Sequence, residues 1–369
     1  MAIEERPRRT ARDLVVGLAL AAGLLAVGEC ALRLGGFEYH APPPITFLPA
    51  LHRFHPYWLW EPRPGAEIEG CAGERINRAA FRGPERPLAR GDKLRIVTLG
   101  DSSTFGARVC WNQAFPALLE HELSESEVLN FGAVGFTAFQ GEKLLAGRAL
   151  DYHPDVVLAA FGAFNEALPA MPYDVETKFG ITSRTSPWAA VWRDRLRVLR
   201  TFQLTEFLLG TGSRDRGESP VSAEWLAALA HGGDYVRNQS VPSFERSLED
   251  IVGLARSRGA RVALIAPPRR MAEDARRPWL EEYSAAIGRV AARVGAPCWD
   301  LRAALRRVPD ADARLFVDGI HPSVAGHRLI AELLAENVRR LVRGAPDSSE
   351  SLLRPAAPPC AGTDGPGVK

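Results

Sequence analysis

Apolar β-type runs alternate with helix-like segments from residue 92 to residue 342. The β-type runs cover residues 94–99, 128–131, 156–161, 261–266 and 297–300. The helix-like segments cover residues 114–123, 140–150, 244–258, 279–294 and 323–341. Because parallel strands need crossover connections, this alternation predicts βαβ units, with helices on both faces of a parallel sheet. Open α/β sheets of this kind bind ligands at the carboxyl ends of their strands.

Composition defines the class of protein and excludes some partners. Of the 369 residues, 46% are hydrophobic and 24% are charged, as in a globular protein with ample length for a full core. The net charge is +2, and the 46 lysine and arginine residues are spread out rather than massed. Neither property is typical of a nucleic-acid-binding protein, so we predict no nucleic-acid partner.

The N-terminus has the pattern of an export signal. Four arginines lie within the basic residues 1–13, and residues 14–28 carry no charge. As a signal peptide, this segment would be cleaved at the small-x-small pattern Ala26-Val27-Gly28. As an anchor, the apolar run continues into a signal-anchor helix over residues 14–34, with Glu29 and Arg33 near one end.

We favour the uncleaved anchor. A lipoprotein signal is disfavoured because Glu29 occupies the position before Cys30 that must be small. Both interpretations place the arginines inside the cell and the chain after residue 35 outside the cytoplasm. We therefore predict a single-pass protein of the cytoplasmic membrane with its main domain in the periplasm. A cleaved and secreted form is the alternative.

Three further segments depart from the α/β pattern. Residues 35–91 are rich in proline and aromatic residues, which excludes a long helix and predicts an extended arm with a short hairpin; Trp58 and Trp60 are expected to be packing residues. Residues 167–243 form a long insertion into the main domain (92–343), in a position typical of a lid or substrate wall. Residues 344–369 predict a disordered tail, because they are rich in Pro, Gly, Ser and Ala.

The five cysteines show no Cys-x-x-Cys or Cys/His spacing, so no metal site is predicted. Export would place them in an oxidising compartment. A Cys71–Cys110 disulfide is then possible because both residues flank the first strand, and two unpaired thiols are the alternative.

Four polar motifs fall at predicted strand ends or before the final helix. Gly100-Asp101-Ser102 forms a tight turn after the first strand. The other three motifs lie at residues 130–137, 161–166 and 316–322. Each motif alone has an ordinary structural explanation, such as helix capping. Their common placement predicts instead a serine hydrolase site.

The residue types in these motifs suit acyl transfer. A serine hydroxyl such as that of Ser102 needs a base within hydrogen-bond reach; His321 is the candidate, and Asp318 can fix its tautomer. The Ser102 N–H, the Gly135 N–H and the Asn165 side chain are candidate donors to the oxyanion that develops. Gly100 and Asp101 are expected to shape the supporting turn. This chemistry implies no cofactor.

These motifs resemble the four blocks of the SGNH (GDSL) hydrolase superfamily, which contribute Ser, Gly, Asn and His. The matching residues are Gly100-Asp101-Ser102-Ser103, Asn130-x-Gly132-x-x-Gly135-x-Thr137, Asn165-Glu166 and Asp318-Gly-Ile-His321. The resemblance covers residues 92–342 without most of the insertion, and the arm also resembles that of exported bacterial members.

The resemblance implies a flavodoxin-like three-layer α/β/α sandwich with a five-stranded parallel sheet. It also implies that Ser102 is the nucleophile, His321 the base and Asp318 the residue that orients the base. By the same analogy, Ser102, Gly135 and Asn165 form the oxyanion hole.

The third block departs from the family pattern Gly-x-Asn-Asp. Gly162 lies one residue early, Ala163 stands two residues before Asn165, and Glu166 replaces the aspartate. We predict a serine esterase that cleaves acyl or acetyl esters of a small molecule or a carbohydrate through a covalent acyl-enzyme. An O-acetyltransferase acting on envelope polysaccharide would use the same triad. A third hypothesis is a catalytically silent binding protein that keeps the fold, and the departures in the third block are its only support.

Overall fold

The computed structural model describes residues 11–37, 39, 48, 50–170, 174–184, 192, 195–209, 235–343 and 357–360. They divide into two compact units. The smaller unit comprises Met1–Pro44 with Trp188–Ser219, and the larger comprises Ile45–Pro187 with Pro220–Lys369. All four polar motifs belong to the larger unit.

A five-stranded parallel sheet forms the centre of the larger unit. In chain order the strands are β1 (His52–His55), β2 (Leu59–Pro62), β3 (Leu94–Gly100), β4 (Ser126–Asn130), β5 (Val156–Ala160), β6 (Arg261–Ala266) and β7 (Cys298–Asp300). β1 and β2 form an antiparallel hairpin, and the other five strands pair in the order β4-β3-β5-β6-β7. This order is that of flavodoxin-like sheets, as predicted.

Helices follow most of the strands. In chain order the described α-helices are α1 (Ala11–Leu34), α2 (Ser102–Phe105), α3 (Phe115–Glu122), α4 (Ala138–Gly147), α5 (Val175–Arg184), α6 (Arg200–Leu208), α7 (Val241–Ser257), α8 (Met271–Arg276), α9 (Glu281–Val294), α10 (Leu301–Leu305), α11 (Ala311–Arg314) and α12 (Val324–Arg343). α4 begins two residues before its predicted start. The side chain of Gln140 reaches back to accept a hydrogen bond from Thr137 N, at 3.1 Å, and so stabilises an earlier first turn.

Neighbouring residues of the central strands face two separate cores. In β3, Ile96 packs in a core with residues of α3 and α12, whereas Val97 packs in the opposite core with residues of α4, α7 and α9. Val156 and Val157 of β5 alternate in the same way. Because side chains of a strand alternate between the faces of a sheet, this pattern defines helix, sheet and helix layers. The predicted three-layer α/β/α sandwich is confirmed.

The arm before β3 packs onto the sandwich. The predicted hairpin is β1 with β2, and the predicted packing residues Trp58 and Trp60 are 2% and 5% exposed. The amide side chain of Gln140 donates a hydrogen bond to Trp58 O at 3.1 Å, and Trp60 Nε1 donates one to Val134 O at 3.1 Å. Both contacts tie the arm to the part of the chain that follows β4.

The smaller unit contains α1 and α6, which lie in contact. Among the described helices, one is long and apolar enough to cross a membrane, and it covers Arg12–Leu34; a signal sequence has the same properties. The sequence treated residues 167–243 as one insertion, but the structure divides it. Trp188–Ser219 groups with the N-terminal helix, whereas α5 belongs to the larger unit.

Of the two alternatives for Cys71 and Cys110, the structure has the disulfide, which joins the arm to the segment after α2. Glu74 lies close to these two sulfurs, the one grouping of metal-ligating side chains among the described residues, but the sulfurs are bonded to each other. Cys30 is a free, exposed thiol on α1.

The prediction of a disordered tail is wrong for residues 357–360. Cys360 forms a second disulfide with Cys298, and its N–H donates a hydrogen bond to Cys298 O at 3.1 Å. Asp300 N donates a hydrogen bond to Pro358 O at 2.7 Å, so these residues extend the edge of the sheet beside β7. The rest of the predicted tail lies outside the described residues.

We predict that the Cys71–Cys110 disulfide stabilises the larger unit. Replacing both cysteines by serine is expected to lower the free energy of unfolding by about 2–4 kcal/mol, because the bond constrains the unfolded chain. Denaturant unfolding of the detergent-solubilised chain measures this change. Cys30→Ser is the matched control and should leave the midpoint unchanged; equal midpoints for all three proteins would contradict the prediction.

Candidate active site

The turn after β3 presents Ser102 at the start of α2. Asp101 precedes the helix, and its Oδ1 accepts a hydrogen bond from Ser103 N at 2.8 Å. A side chain at Gly100 would not fit, because its Cβ would lie 2.7 Å from Ala160 O of the neighbouring strand. Gly106 ends the helix in the left-handed region, with φ of 84°. Gly100 and Asp101 thus lie in the turn that precedes Ser102, next to the proposed nucleophile.

Ser102, His321 and Asp318 form a continuous chain of hydrogen bonds. His321 Nε2 lies 2.9 Å from Ser102 Oγ, and His321 Nδ1 lies 2.7 Å from Asp318 Oδ2. Ser102 is 5% exposed, so its hydroxyl is held by its surroundings rather than free in solvent. The structure therefore brings together three residues that the sequence separates by as many as 219 positions.

The loop before α12 orients the Asp318 carboxylate. Its Oδ1 accepts hydrogen bonds from His321 N at 2.8 Å and from Ile320 N at 3.0 Å. Partial burial opposes ionisation of this carboxyl, but the hydrogen bonds from His321 and Ile320 outweigh it and lower the pKa of Asp318. Asp318 is therefore ionised at neutral pH and favours the Nδ1–H tautomer of His321, which leaves Nε2 free to accept a proton.

Three arginines that the sequence motifs do not include lie close to this loop or follow β6. Arg108 Nε lies 4.0 Å from Asp318 Oδ2, with a side chain 70% exposed. Arg269, which follows β6, is buried and paired with Asp274. The Arg270 guanidinium donates a hydrogen bond to Phe316 O at 3.2 Å. Their position after β6, at the carboxyl edge of the sheet, is the sequence signal that could have marked Arg269 and Arg270.

The turn after β4 packs directly against α2. Asn130 Oδ1 accepts a hydrogen bond from Gly132 N at 3.0 Å, and its Nδ2 donates one to Phe105 O at 3.3 Å. A Cβ at Gly132 would lie 2.4 Å from Phe105 N, so only glycine permits this approach. Gly135 follows in the same turn with φ of 80°, a conformation that glycine adopts without strain.

Asn165 follows β5, the neighbour of β3 in the sheet. Its Nδ2 donates a hydrogen bond to Phe136 O at 3.0 Å, so it contacts the turn that carries Gly135. The residue is 8% exposed. The substitution of the family's usual glycine by Ala163 thus leaves the Asn165 amide connected to the second block.

Two buried acids, Asp101 and Glu166, lie beneath the turn. Burial and, second to it, the negative charge of Asp101 raise the pKa of Glu166 to about 8. Burial also raises the pKa of Asp101. Glu166 Oε1 accepts a hydrogen bond from Ala138 N at 3.2 Å, at the start of α4. The glutamate of the third block is therefore mostly protonated at neutral pH.

Comparison with known proteins finds a related family. Residues 163–329 match the model of the GDSL-like Lipase/Acylhydrolase family, a range that includes Asn165, Asp318 and His321. This part of the chain is therefore similar to GDSL-like lipases and acylhydrolases, the family that the motifs resemble.

Two solved structures illustrate the folds to which this chain is similar. The lipase/acylhydrolase from Enterococcus faecalis is 22% identical, with 68% of this chain and 96% of that chain covered and a TM-score of 0.43. A catalytic mutant of an acetylxylan esterase from Geobacillus stearothermophilus is 17% identical, with 68% and 95% covered and a TM-score of 0.41. No curated protein matches the sequence.

The raised pKa of Glu166 predicts a pH-dependent stability. The native state keeps a proton that the unfolded chain releases between pH 4.5 and about 8. The free energy of unfolding should therefore fall as pH rises through this range, by up to about 1.4 kcal/mol per pH unit. Glu166→Gln carries no titrating proton and should show a shallower fall in denaturant unfolding. The exposed Glu332→Gln is the control, and identical pH profiles for Glu166→Gln and the wild type would contradict the assignment.

Proposed function

We propose that the chain is a serine esterase that cleaves acyl or acetyl esters through a covalent acyl-enzyme. The observation that carries this proposal is the hydrogen-bond chain from Ser102 Oγ through His321 to Asp318. A serine hydroxyl is a weak nucleophile unless a base takes its proton, and His321 Nε2 is within reach to do so. Asp318 acts as the residue that orients the imidazole and stabilises its charged form.

The reaction proceeds in two steps in this proposal. Ser102 Oγ attacks the ester carbonyl while His321 takes the hydroxyl proton, and the imidazolium then gives this proton to the departing alcohol. The acyl group remains on Ser102. Water attacks this acyl-enzyme next, with His321 again as the base, and the carboxylic acid leaves as Ser102 recovers its proton.

Three donors are proposed to stabilise the negative charge on the carbonyl oxygen. Ser102 lies in the first turn of α2, where a backbone N–H has no partner within the helix. Gly135 lies in an open glycine turn. The Asn165 amide has two N–H groups, and the bond to Phe136 O occupies one, which leaves the other for substrate.

The proposed substrate is an acyl or acetyl ester of a small molecule or a carbohydrate, at a periplasmic site. This location rests on α1, the apolar helix that we propose anchors the chain in the cytoplasmic membrane. The basic residues of the N-terminus would then remain in the cytoplasm. An ester panel from acetyl to long acyl, with acetylated oligosaccharides included, identifies the substrate.

We predict that Ser102→Ala and His321→Ala each abolish ester hydrolysis and leave the fold intact. Turnover of p-nitrophenyl acetate measures activity, and a fluorophosphonate probe measures the nucleophile directly. Ser103→Ala is the matched control, since this neighbouring buried serine bonds to Ile320 O and not to His321. Undiminished hydrolysis in Ser102→Ala, or no labelling of Ser102 in the folded wild type, would overturn the proposal and favour a silent binding protein.

We also predict that Asn165→Ala lowers kcat by about 10²–10³-fold with little change in KM, because an oxyanion donor acts mainly in the transition state. Steady-state kinetics with the best ester of the panel measures this split. A kcat within a few fold of the wild type, in a variant with unchanged thermal unfolding, would exclude Asn165 from the oxyanion hole.

A further inference from the structure

We propose that residues 195–209 form an interfacial segment that lies on an anionic phospholipid surface, beside the point where α1 leaves the bilayer. The proposal rests on the membrane anchoring of α1 proposed above. The segment belongs to the smaller unit and includes α6 and the turn before it.

Large apolar side chains of this segment are exposed. Six of them are between 38% and 71% exposed: Leu196, Val198, Leu199, Phe207, Leu208 and Leu209. Trp192, just before the segment, is 57% exposed. A cluster of this kind in water is unfavourable and marks a surface that another apolar phase covers. The exposed apolar side chains of α1 belong to the same unit, and α1 is in contact with α6.

Arginines accompany the apolar residues. The Arg195 guanidinium lies 5.4 Å from the centre of the Trp192 ring, and both side chains suit the headgroup region, where a polar end meets an apolar body. Arg197 pairs with Glu206 at 3.1 Å, and Arg200 adds a further positive charge at the start of α6. Three arginines against one glutamate favour a negatively charged lipid surface.

Glu29 of α1 fixes the depth of the segment. Its carboxylate accepts hydrogen bonds from Arg200 N at 3.0 Å and from Thr201 N at 2.9 Å, and so caps the N-terminus of α6. Glu29 lies five residues before the end of α1, which corresponds to about 8 Å along the helix axis. This distance places α6 at the level of the headgroups.

Two further contacts join the same elements. Arg33 bonds to Glu29 at 2.7 Å and donates to Val198 O at 3.2 Å, so neither charge of the pair is left alone in the apolar helix. Beyond α1, Tyr39 N donates to Gln203 Oε1 at 3.0 Å, and the Tyr39 ring meets the Phe207 ring edge-on, with centroids 5.3 Å apart. The start of the segment therefore contacts α1 through Val198, and its later part contacts Tyr39, just beyond α1, through Gln203 and Phe207.

Fluorescence quenching tests the proposal in the full chain. Val198→Cys and Leu208→Cys, each in a Cys30→Ser background with both disulfides intact, are labelled with an environment-sensitive fluorophore. The proteins are reconstituted into vesicles of phosphatidylcholine with phosphatidylglycerol. We expect lipid-borne quenchers to reduce both signals and aqueous iodide to have little effect. Leu88→Cys, which is comparably exposed in the larger unit, is the matched control and should show the reverse.

The native Cys30, labelled in the otherwise unchanged chain, reports insertion of α1. Lipid quenching at Cys30 without quenching at positions 198 and 208 would overturn the interfacial segment alone. Absence of lipid quenching at all three positions would overturn the anchor as well. Protection of the labels at positions 198 and 208 from iodide could also depend on protein concentration rather than on lipid. That result would show that a second copy of the chain covers the surface, and it would overturn the proposal.

Three variants test the roles of charge and of the cap. Arg195→Gln should weaken the dependence of quenching on phosphatidylglycerol by about twofold or more. Glu29→Ala removes both acceptors and should lower lipid quenching at position 208, whereas Glu29→Gln, which keeps one oxygen acceptor, should retain part of it. Equal quenching in pure phosphatidylcholine would overturn the preference for anionic lipid, and an unchanged signal in Glu29→Ala would overturn the role of the cap.

Discussion

The buried guanidinium of Arg82 supports the turn that carries the serine. α2 is one turn long, so its last carbonyls have no partners within the helix. Arg82 Nη1 donates to Phe105 O at 2.9 Å and to Gly106 O at 2.5 Å, and Nη2 donates to Val109 O at 2.7 Å. Glu74 balances the charge through Nε at 2.6 Å, which a buried cation requires. The position of Ser102 therefore depends on a residue of the arm.

Both the sheet and the arm therefore position the turns that carry the candidate site residues. The sheet brings the turns after β3, β4 and β5 to one edge, while the arm holds two of these turns from outside, through Arg82 and through the bond from Trp60 to Val134 O. The Cys71–Cys110 disulfide closes the arm onto the segment after α2. From Ile45 onward, the arm that the sequence set apart from the main domain belongs to the larger unit.

Features that depend on local pattern could be predicted from the sequence, and features that depend on distant pairing could not. The strands were visible because each is a short apolar run bounded by turn residues. Ser102, Asp318 and His321 could be grouped because they follow strands or precede the last helix. Cys360 gave no such signal, since its partner lies 62 residues away and the surrounding composition is typical of disorder. The contact of Glu29 with α6 spans 171 residues and was equally invisible.

The departure of the third block has an electrostatic explanation. Glu166 is fully buried near Asp101, and two ionised carboxylates there would repel each other, so burial keeps Glu166 mostly protonated at neutral pH. Asp318 differs because hydrogen bonds from its own loop stabilise its charge. In the proposed mechanism, the imidazolium of His321 then forms beside the ionised carboxylate of Asp318, which hydrogen bonds stabilise. Glutamate in place of aspartate is therefore compatible with catalysis, because the residue contributes a neutral hydrogen-bonding group that reaches the start of α4.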